Sequence, residues 1–300
     1  MIRVGVDFGG TKIEAAALNG TGAFLARVRR PNPGRYGAAV ALVRDLVAEA
    51  EQQAGGRAPA VGIGIPGSIS PTTGRVRNAN STWLNGQPFR EDLEGALGRP
   101  VRLQNDANCF ALSEAVDGAA AGARVVFGAI LGTGCGGGVV IDGRALEGRN
   151  GIAGEWGHSP LPWPTPEEHR AHACWCGKTD CIETWVSGTA FREDYRRAAG
   201  LTADGRAIVE RAAAGDPEAE VCLDRYVDRL GRALAAMCNL LDPDVIVLGG
   251  GMSNVKPLYD RLPAAVARHA FTDSFATPIL PAKYGDSSGV RGAAWLWPAT

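Results

Sequence analysis

Two glycine turns, one cysteine cluster and two short acidic motifs carry the chemistry this chain has available. The first turn is Asp7-Phe8-Gly9-Gly10-Thr11-Lys12, set between two strand patterns. Adjacent glycines present backbone N–H groups to a phosphate with no side chain in the way. Asp7 ends the preceding strand and is placed to meet a metal–phosphate complex. An ordinary glycine hairpin has the same residues, so this turn alone does not decide. Asp-Phe-Gly also occurs in protein kinases, but there it follows a catalytic-loop motif, and none precedes Asp7. The second turn, Gly132-Thr133-Gly134-Cys135-Gly136-Gly137-Gly138, contains the spacing Gly-x-Gly-x-x-Gly. A dinucleotide site needs a helix directly afterwards to receive the pyrophosphate. Here Val139-Val140-Ile141-Asp142-Gly143 follows, a strand and a turn. A second phosphate-cradling hairpin is the better reading.

Cys174, Cys176 and Cys181 fall within eight positions and resemble a metal knuckle. Zinc takes four ligands in a tetrahedron, so a fourth is required. His158, His169 and His172 are all candidates, and spacing does not choose among them. Asn105-Asp106 follows a short strand and precedes a helix. Asp106 is either a helix cap or a general base that polarises a hydroxyl. Glu155 and His158, three apart in the glycine-rich Gly154-Glu155-Trp156-Gly157-His158, suit the hydroxyls of a sugar; the plainer alternative is a solvated loop.

Strands and helices must position these groups. Residues 2–8, 13–18 and 23–28 read as consecutive strands close enough in sequence to pair as hairpins. Residues 36–53 change to a helical period, with Val40, Val43, Leu46, Val47 and Ala50 on one face. A buried strand at 60–65, a short strand at 101–103 and a helix at 107–116 follow. The same grammar restarts at Val125, a spacing of about 125 residues, too long for a solenoid repeat. Asp216-Pro217 caps a helix running to about Leu241. A continuous buried strand at 245–248 then ends in Gly249-Gly250-Gly251, and helices follow at 256–270 and 289–297. Residues 144–187 show no period, and an irregular stretch of that length is usually functional or metal-stapled.

Composition narrows the class. The chain has 300 residues, 45% hydrophobic and 21% charged, enough apolar material for about two domains and too much for a disordered chain. Lys and Arg total 31 against 32 Asp and Glu, a net charge of −1 that gives no pull toward nucleic acid or anionic membrane. No apolar run is long enough for a membrane span. Seven cysteines, an odd number, argue against a disulfide framework. Ile2 already begins a strand pattern and no leader-like segment is present, so a reducing, cytoplasmic compartment is expected.

Taken together the motifs resemble the ROK family of bacterial sugar kinases, within the superfamily of actin-like sugar kinases and Hsp70 ATPases. The resemblance runs over essentially the whole chain. It rests on the turn at 7–12, Gly62-Ile63-Gly64-Ile65-Pro66-Gly67, Asn105-Asp106-Ala107-Asn108, the turn at 132–138, Gly154 to His158, the knuckle from Cys174 to Glu183, and Leu248-Gly249-Gly250-Gly251. Residues 78–86 and 285–292 look most like the manno(fructo)kinase, or fructokinase, branch.

That resemblance implies an α/β, actin-like (ribonuclease H-like) two-domain ATPase fold with a cleft between the domains. The expected small domain is 1–117 plus 286–300, with its closing helix crossing back onto the first sheet. The expected large domain is 118–285, carrying a zinc-binding insertion. Implied ATP contacts are Asp7, Gly9, Gly10, Thr11, Lys12, Gly132, Thr133, Gly134, Gly136 and Gly137, with Gly249, Gly250 and Gly251 against the adenosine. Asp7 is implied near magnesium. Gly67, Asn80, Asn105, Asp106, Glu155, His158 and Glu183 are the implied sugar contacts, with Asp106 as base. His158, Cys174, Cys176 and Cys181 are the implied zinc ligands. Asp180 departs from the family knuckle, which usually has Gly there.

The expected activity is ATP-dependent phosphorylation of a free hexose at its 6-hydroxyl, with fructose first and mannose close behind. N-acetylglucosamine or glucose kinase is the alternative, because the Asn-Asp and Glu/His sugar contacts are shared. A sugar-responsive repressor is remote: the strand at Ile2 leaves no helix-turn-helix, and the net charge offers no basic face. A homodimer is expected, with no nucleic-acid or membrane partner.

Overall fold

A computed structural model of the protein describes residues 2–297, the side chain of Asp286 excepted. In chain order the strands are β1 (Arg3–Phe8), β2 (Lys12–Leu18), β3 (Phe24–Pro31), β4 (Val61–Ile65), β5 (Ser68–Ile69), β6 (Val76–Arg77), β7 (Val101–Asn105), β8 (Val125–Leu131), β9 (Cys135–Ile141), β10 (Arg144–Ala145), β11 (Val245–Gly249) and β12 (Ile279–Pro281). The helices are α1 (Tyr36–Ala54), α2 (Phe89–Leu97), α3 (Asp106–Val116), α4 (Glu183–Val186), α5 (Gly188–Ala199), α6 (Gly205–Ala213), α7 (Pro217–Leu241), α8 (Pro257–Ala267) and α9 (Ser288–Trp295). Short 3-10 turns lie at 82–84, 156–158, 166–168, 251–254 and 285–287.

The repeated grammar of the sequence is a repeated topology. One five-stranded sheet has the order β3-β2-β1-β4-β7 and another the order β10-β9-β8-β11-β12. In the first, β1 pairs antiparallel with β2 and parallel with β4, which pairs parallel with β7. In the second, β9 and β10 are antiparallel while β11 runs parallel to both β8 and β12.

Two compact units result. The first comprises 1–122, 138–153 and 283–300; the second comprises 123–137 and 154–282. Residues 138–153 group with the first unit, although the sequence reading placed them in the second domain. Gly138 leaves no room for a side chain against Ala107 and Ala111 of α3, and Gln104 donates to Glu147 at 3.2 Å.

In the first unit α1 buries Ala39, Val43, Leu46, Val47 and Ala50. These belong to one core with Val4, Val6, Ile13, Ala15 and Ile63. The closing helix α9 packs on β1, β4 and α3, as expected from its apolar face. The approach is close to backbone contact. A Cβ on Gly62 would stand 1.8 Å from the Ala293 carbonyl oxygen, and one on Gly292 would stand 1.7 Å from that of Cys109. Fully buried Glu114 fixes the entry to this helix. Its carboxylate accepts from the Ser288 hydroxyl at 2.7 Å and from the Lys283 N–H at 3.0 Å.

In the second unit α7 starts as its sequence predicts. Asp216 accepts from the Ala219 N–H at 3.1 Å, and Pro217 takes the first helical position. The irregular stretch is braced by isolated bridges, Pro160 with Cys181 and Ala173 with Thr179.

Candidate active site

The first unit carries the turn between β1 and β2. Asn32, which no sequence motif marks, pins it: its side-chain amide donates to the Gly9 carbonyl at 2.8 Å, and its N–H to that of Thr11 at 2.9 Å. Gly10 is exposed and lies beside Ser81 and Asn80. Asp7 is partly exposed at the end of β1, and its carboxylate lies against Gly289 in the first turn of α9. A helix N-terminus favours negative charge there.

At the end of β7 the cap of α3 is Asn105, not Asp106 as one sequence reading had it. The Asn105 side-chain oxygen accepts from the Ala107 and Asn108 N–H groups at 2.9 and 3.4 Å. Its amide donates to the Gly67 carbonyl at 2.9 Å. Gly67 has φ +76°, and a Cβ there would stand 2.3 Å from the Arg77 carbonyl. Asn105 is thereby fixed to both the helix and the 67 turn. Asp106 is left exposed at the first helical position, with one oxygen 2.8 Å from the Ala107 N–H. A carboxylate placed there can accept a proton from a bound hydroxyl. Asn80 is exposed. Asn85 braces the preceding residue, donating to the Ala79 carbonyl at 3.0 Å and accepting from its N–H at 2.9 Å.

The second unit carries the other turn, and it is shorter than its glycines suggest. Gly136, Gly137 and Gly138 are already in strand β9. The indole N–H of Trp156 donates to the Gly136 carbonyl at 2.9 Å, and its ring lies over Gly137. These glycines make room for the Gly154–His158 loop. The turn proper is Gly132, Thr133 and Gly134, closed by a 3.0 Å bond from the Gly132 N–H to the Gly134 carbonyl. Gly250 packs on the Leu131–Gly132 backbone, so the end of β11 meets this turn. Glu183, at the start of α4, accepts from the Cys135 N–H at 2.9 Å and from the Trp175 indole at 2.7 Å. Glu155 is exposed, and its backbone carbonyl accepts from the His158 N–H at 3.2 Å.

Of the three histidines open on spacing, the fold selects His158. Its ring and the thiols of Cys174, Cys176 and Cys181 bring four donor atoms within 4.8 Å of one another. A tetrahedron with metal–sulfur arms of about 2.3 Å has edges of about 3.8 Å. Cys176 and Cys181 are 3.6 Å apart at sulfur, and Cys174 sulfur is 3.6 Å from the His158 Nδ1. The donor set fits zinc. His172 lies elsewhere, with Arg197 and Trp185. Asp180 takes the left-handed conformation that a turn glycine would, φ +58°. It also does what glycine cannot: its carboxylate accepts from the N–H groups of Ala171 and His172, both at 2.9 Å, and of Arg170 at 2.5 Å.

The ROK family model matches residues 3–300. The chain belongs to the ROK family. Among relatives of this ROK chain, an N-acetyl-D-glucosamine kinase of Photobacterium profundum is 39% identical over 97% of this chain and 98% of its own length. The N-acetylgalactosamine kinase AgaK of a Shewanella strain is 41% identical, over 97% and 95%. Two solved structures share the fold: a ROK hexokinase from Thermus thermophilus (TM-score 0.88, 35% identity, 99% and 97% covered) and a ROK glucokinase from Streptomyces griseus in complex with glucose and AMPPNP (TM-score 0.78, 29% identity, 98% of each). The architecture of this ROK protein is therefore the actin-like α/β fold expected.

The expected fructose preference is corrected by these relatives, which are amino-sugar kinases. The reason lies in the motifs themselves. The Asn-Asp and Glu/His motifs are expected of hexose and N-acetylhexosamine kinases alike, so they do not distinguish the two.

Proposed function

We propose that this protein is an ATP-dependent N-acetylglucosamine kinase that phosphorylates the 6-hydroxyl. The carrying observation is near full-length similarity, at 39% identity, to an N-acetyl-D-glucosamine kinase. In this reading Asp106 takes the proton of the 6-hydroxyl as its oxygen attacks the γ-phosphorus, the bond to the β-phosphate breaks and ADP leaves. Asn105, with its oxygen committed to the helix cap, offers its remaining amide proton to a sugar hydroxyl. Gly67, Asn80, Glu155, His158 and Glu183 supply the other sugar contacts. Gly9 to Lys12 and Gly132 to Gly134 offer backbone N–H groups to the phosphates, and Gly249 to Gly251 the adenosine contact; AMPPNP bound to the Streptomyces enzyme supports ATP as donor. Asp7, a partly exposed carboxylate beside a phosphate turn, is the hard oxygen donor magnesium prefers; the ion supplies charge neutralisation. Zinc at His158, Cys174, Cys176 and Cys181 is structural.

The test is ADP release across N-acetylglucosamine, N-acetylgalactosamine, glucose, mannose and fructose. A kcat/KM for N-acetylglucosamine at least about ten-fold above glucose is expected, about 1.4 kcal/mol of discrimination. Equal or better turnover of glucose or fructose overturns the reading. The Shewanella relative favours a second one, in which the 4-epimer is preferred; the ratio of the two amino sugars decides. Among the described residues no helix is long and apolar enough to cross a membrane, and no cysteine is in a disulfide; cell fractionation tests the cytoplasmic expectation. Light scattering tests the homodimer.

A further inference from the structure

The peptide that joins Gly9 to Gly10 can serve a phosphate in one orientation only. In a trans peptide the carbonyl of one residue and the N–H of the next point in opposite directions. Turned one way, this peptide shows the Gly10 N–H to an anion. Turned the other way, it shows the Gly9 carbonyl oxygen, which repels one. Glycine on both sides removes most of the steric resistance to that rotation. Gly10 is exposed, so water can satisfy the peptide in either orientation. A group outside the turn has to choose between them.

Asn32 makes that choice. It lies in Pro31-Asn32-Pro33-Gly34, the link from β3 to α1. Its side-chain amide donates to the Gly9 carbonyl at 2.8 Å, and its backbone N–H to the Thr11 carbonyl at 2.9 Å. Two acceptor oxygens of the turn are thereby drawn to one side, and the Gly10 N–H is left facing the other.

The link that carries Asn32 is itself stiff. Pro31 has its own φ fixed by its ring, and Pro33 restricts the backbone of Asn32 to extended conformations. The Asn32 side-chain oxygen accepts from the Gly34 N–H at 3.0 Å, closing a turn in which Gly34 has φ +67°. With its oxygen used there, the amide has only its nitrogen to offer Gly9, so the end that faces the phosphate turn is a donor.

We infer that Asn32 is a positioning residue for the nucleotide: by holding the Gly9 carbonyl it presents the Gly10 N–H to the ATP phosphates. The inference rests on the proposed kinase reading, which takes the 9–12 turn as a phosphate contact. Asn32 acts through the turn, so its contribution falls on nucleotide affinity and not on the sugar contacts or on proton transfer to Asp106.

The experiment compares the full, zinc-loaded wild type with Asn32→Ala, which removes the amide, and with Asn32→Ser. The serine hydroxyl can still accept from the Gly34 N–H but is too short to donate to Gly9. Calorimetry measures AMPPNP binding with magnesium present, and steady-state kinetics on the sugar that the wild type turns over best give the two KM values. In both variants the Kd for AMPPNP and the KM for ATP should rise about five-fold or more, with the KM for sugar within about two-fold. The melting temperature should stay within about 4 °C of wild type, the shift that one lost hydrogen bond explains. A contact that only stabilises the fold would move the melting temperature and both KM values together, and that result overturns the inference. So does unchanged AMPPNP affinity in either folded variant. Should Asn32→Ala not fold, Asn32→Ser decides, because it keeps the link to Gly34. A wild type that binds no AMPPNP defeats the kinase reading and this inference with it; wild-type binding matched by both variants defeats the inference alone.

Discussion

The indole N–H of Trp175 donates to the carboxylate of Glu183 at 2.7 Å, across the base of the cysteine knuckle. The other oxygen of Glu183 accepts from the Cys135 N–H at 2.9 Å. One carboxylate therefore ties the metal loop to the glycine turn. Trp175 is held as well, its ring edge-on to His158 at 4.9 Å, although it is 71% exposed. Trp175→Phe keeps the ring and removes the donor. A hydrogen bond to a charged group contributes about 1.5–3 kcal/mol, so the KM for sugar should rise about ten-fold with zinc content unchanged. Kinetics beside elemental analysis check this; an unaltered KM would show that Glu183 is held without Trp175.

Asp106→Asn should abolish turnover and largely spare sugar binding. The substitution is nearly isosteric, and Asn105 rather than residue 106 caps the helix, so α3 keeps its start. Asn cannot accept the hydroxyl proton. A variant retaining more than about a tenth of wild-type kcat would remove Asp106 as the base.

Zinc removal should act on stability and sugar affinity together. His158 is at once a member of the four-donor cluster that fits zinc and the end of the loop that carries Glu155 and Trp156. Cys176→Ser, or chelation, should lower the melting temperature and raise the sugar KM in parallel. Freshly purified protein without zinc would defeat this.

Glu168→Gln should show a pH-dependent loss of stability. Burial acts to raise the Glu168 carboxyl, and hydrogen bonds from Arg232 and Arg229 override it, holding it down to about 2. A depressed carboxyl contributes stability that is complete above its unfolded value, about 4.3, and is lost as pH falls toward 2. At pH 7 the variant leaves buried guanidiniums short of a partner, a loss of about 3 kcal/mol. The gap from wild type should narrow below about pH 4. Denaturant titrations at pH 7 and 3.5 measure it, and a constant gap contradicts the assignment.

Gly62→Ala tests the packing of the closing helix. The new methyl meets the Ala293 carbonyl head-on, so β4 or α9 must move. A loss of about 2 kcal/mol or more is expected, at the upper end for overpacking. An unchanged melting temperature would mean that α9 is not seated as described.

Much of this protein was legible along the chain because the signals are local. The Asp7–Lys12 turn, the Asp216-Pro217 start of α7 and the Cys174–Cys181 spacing each lie within a few residues, where backbone chemistry and ligand spacing act directly. The restarted strand grammar at Val125 likewise announced the second sheet. What the sequence left open depends on residues distant in the chain meeting in space. His158 stands out from His169 and His172 as the fourth candidate donor only because the fold carries it to Cys174, 16 positions away. Gly136 and Gly137 look like phosphate-turn glycines until Trp156 lies on them. Asn32 and Glu114 carry no motif, because each holds a backbone that sequence order does not place beside it. The choice of sugar was hidden for a related reason: the Asn-Asp and Glu/His motifs are expected of hexose and amino-sugar kinases alike, and a C2 substituent is read by the shape of a surface, which only tertiary packing forms.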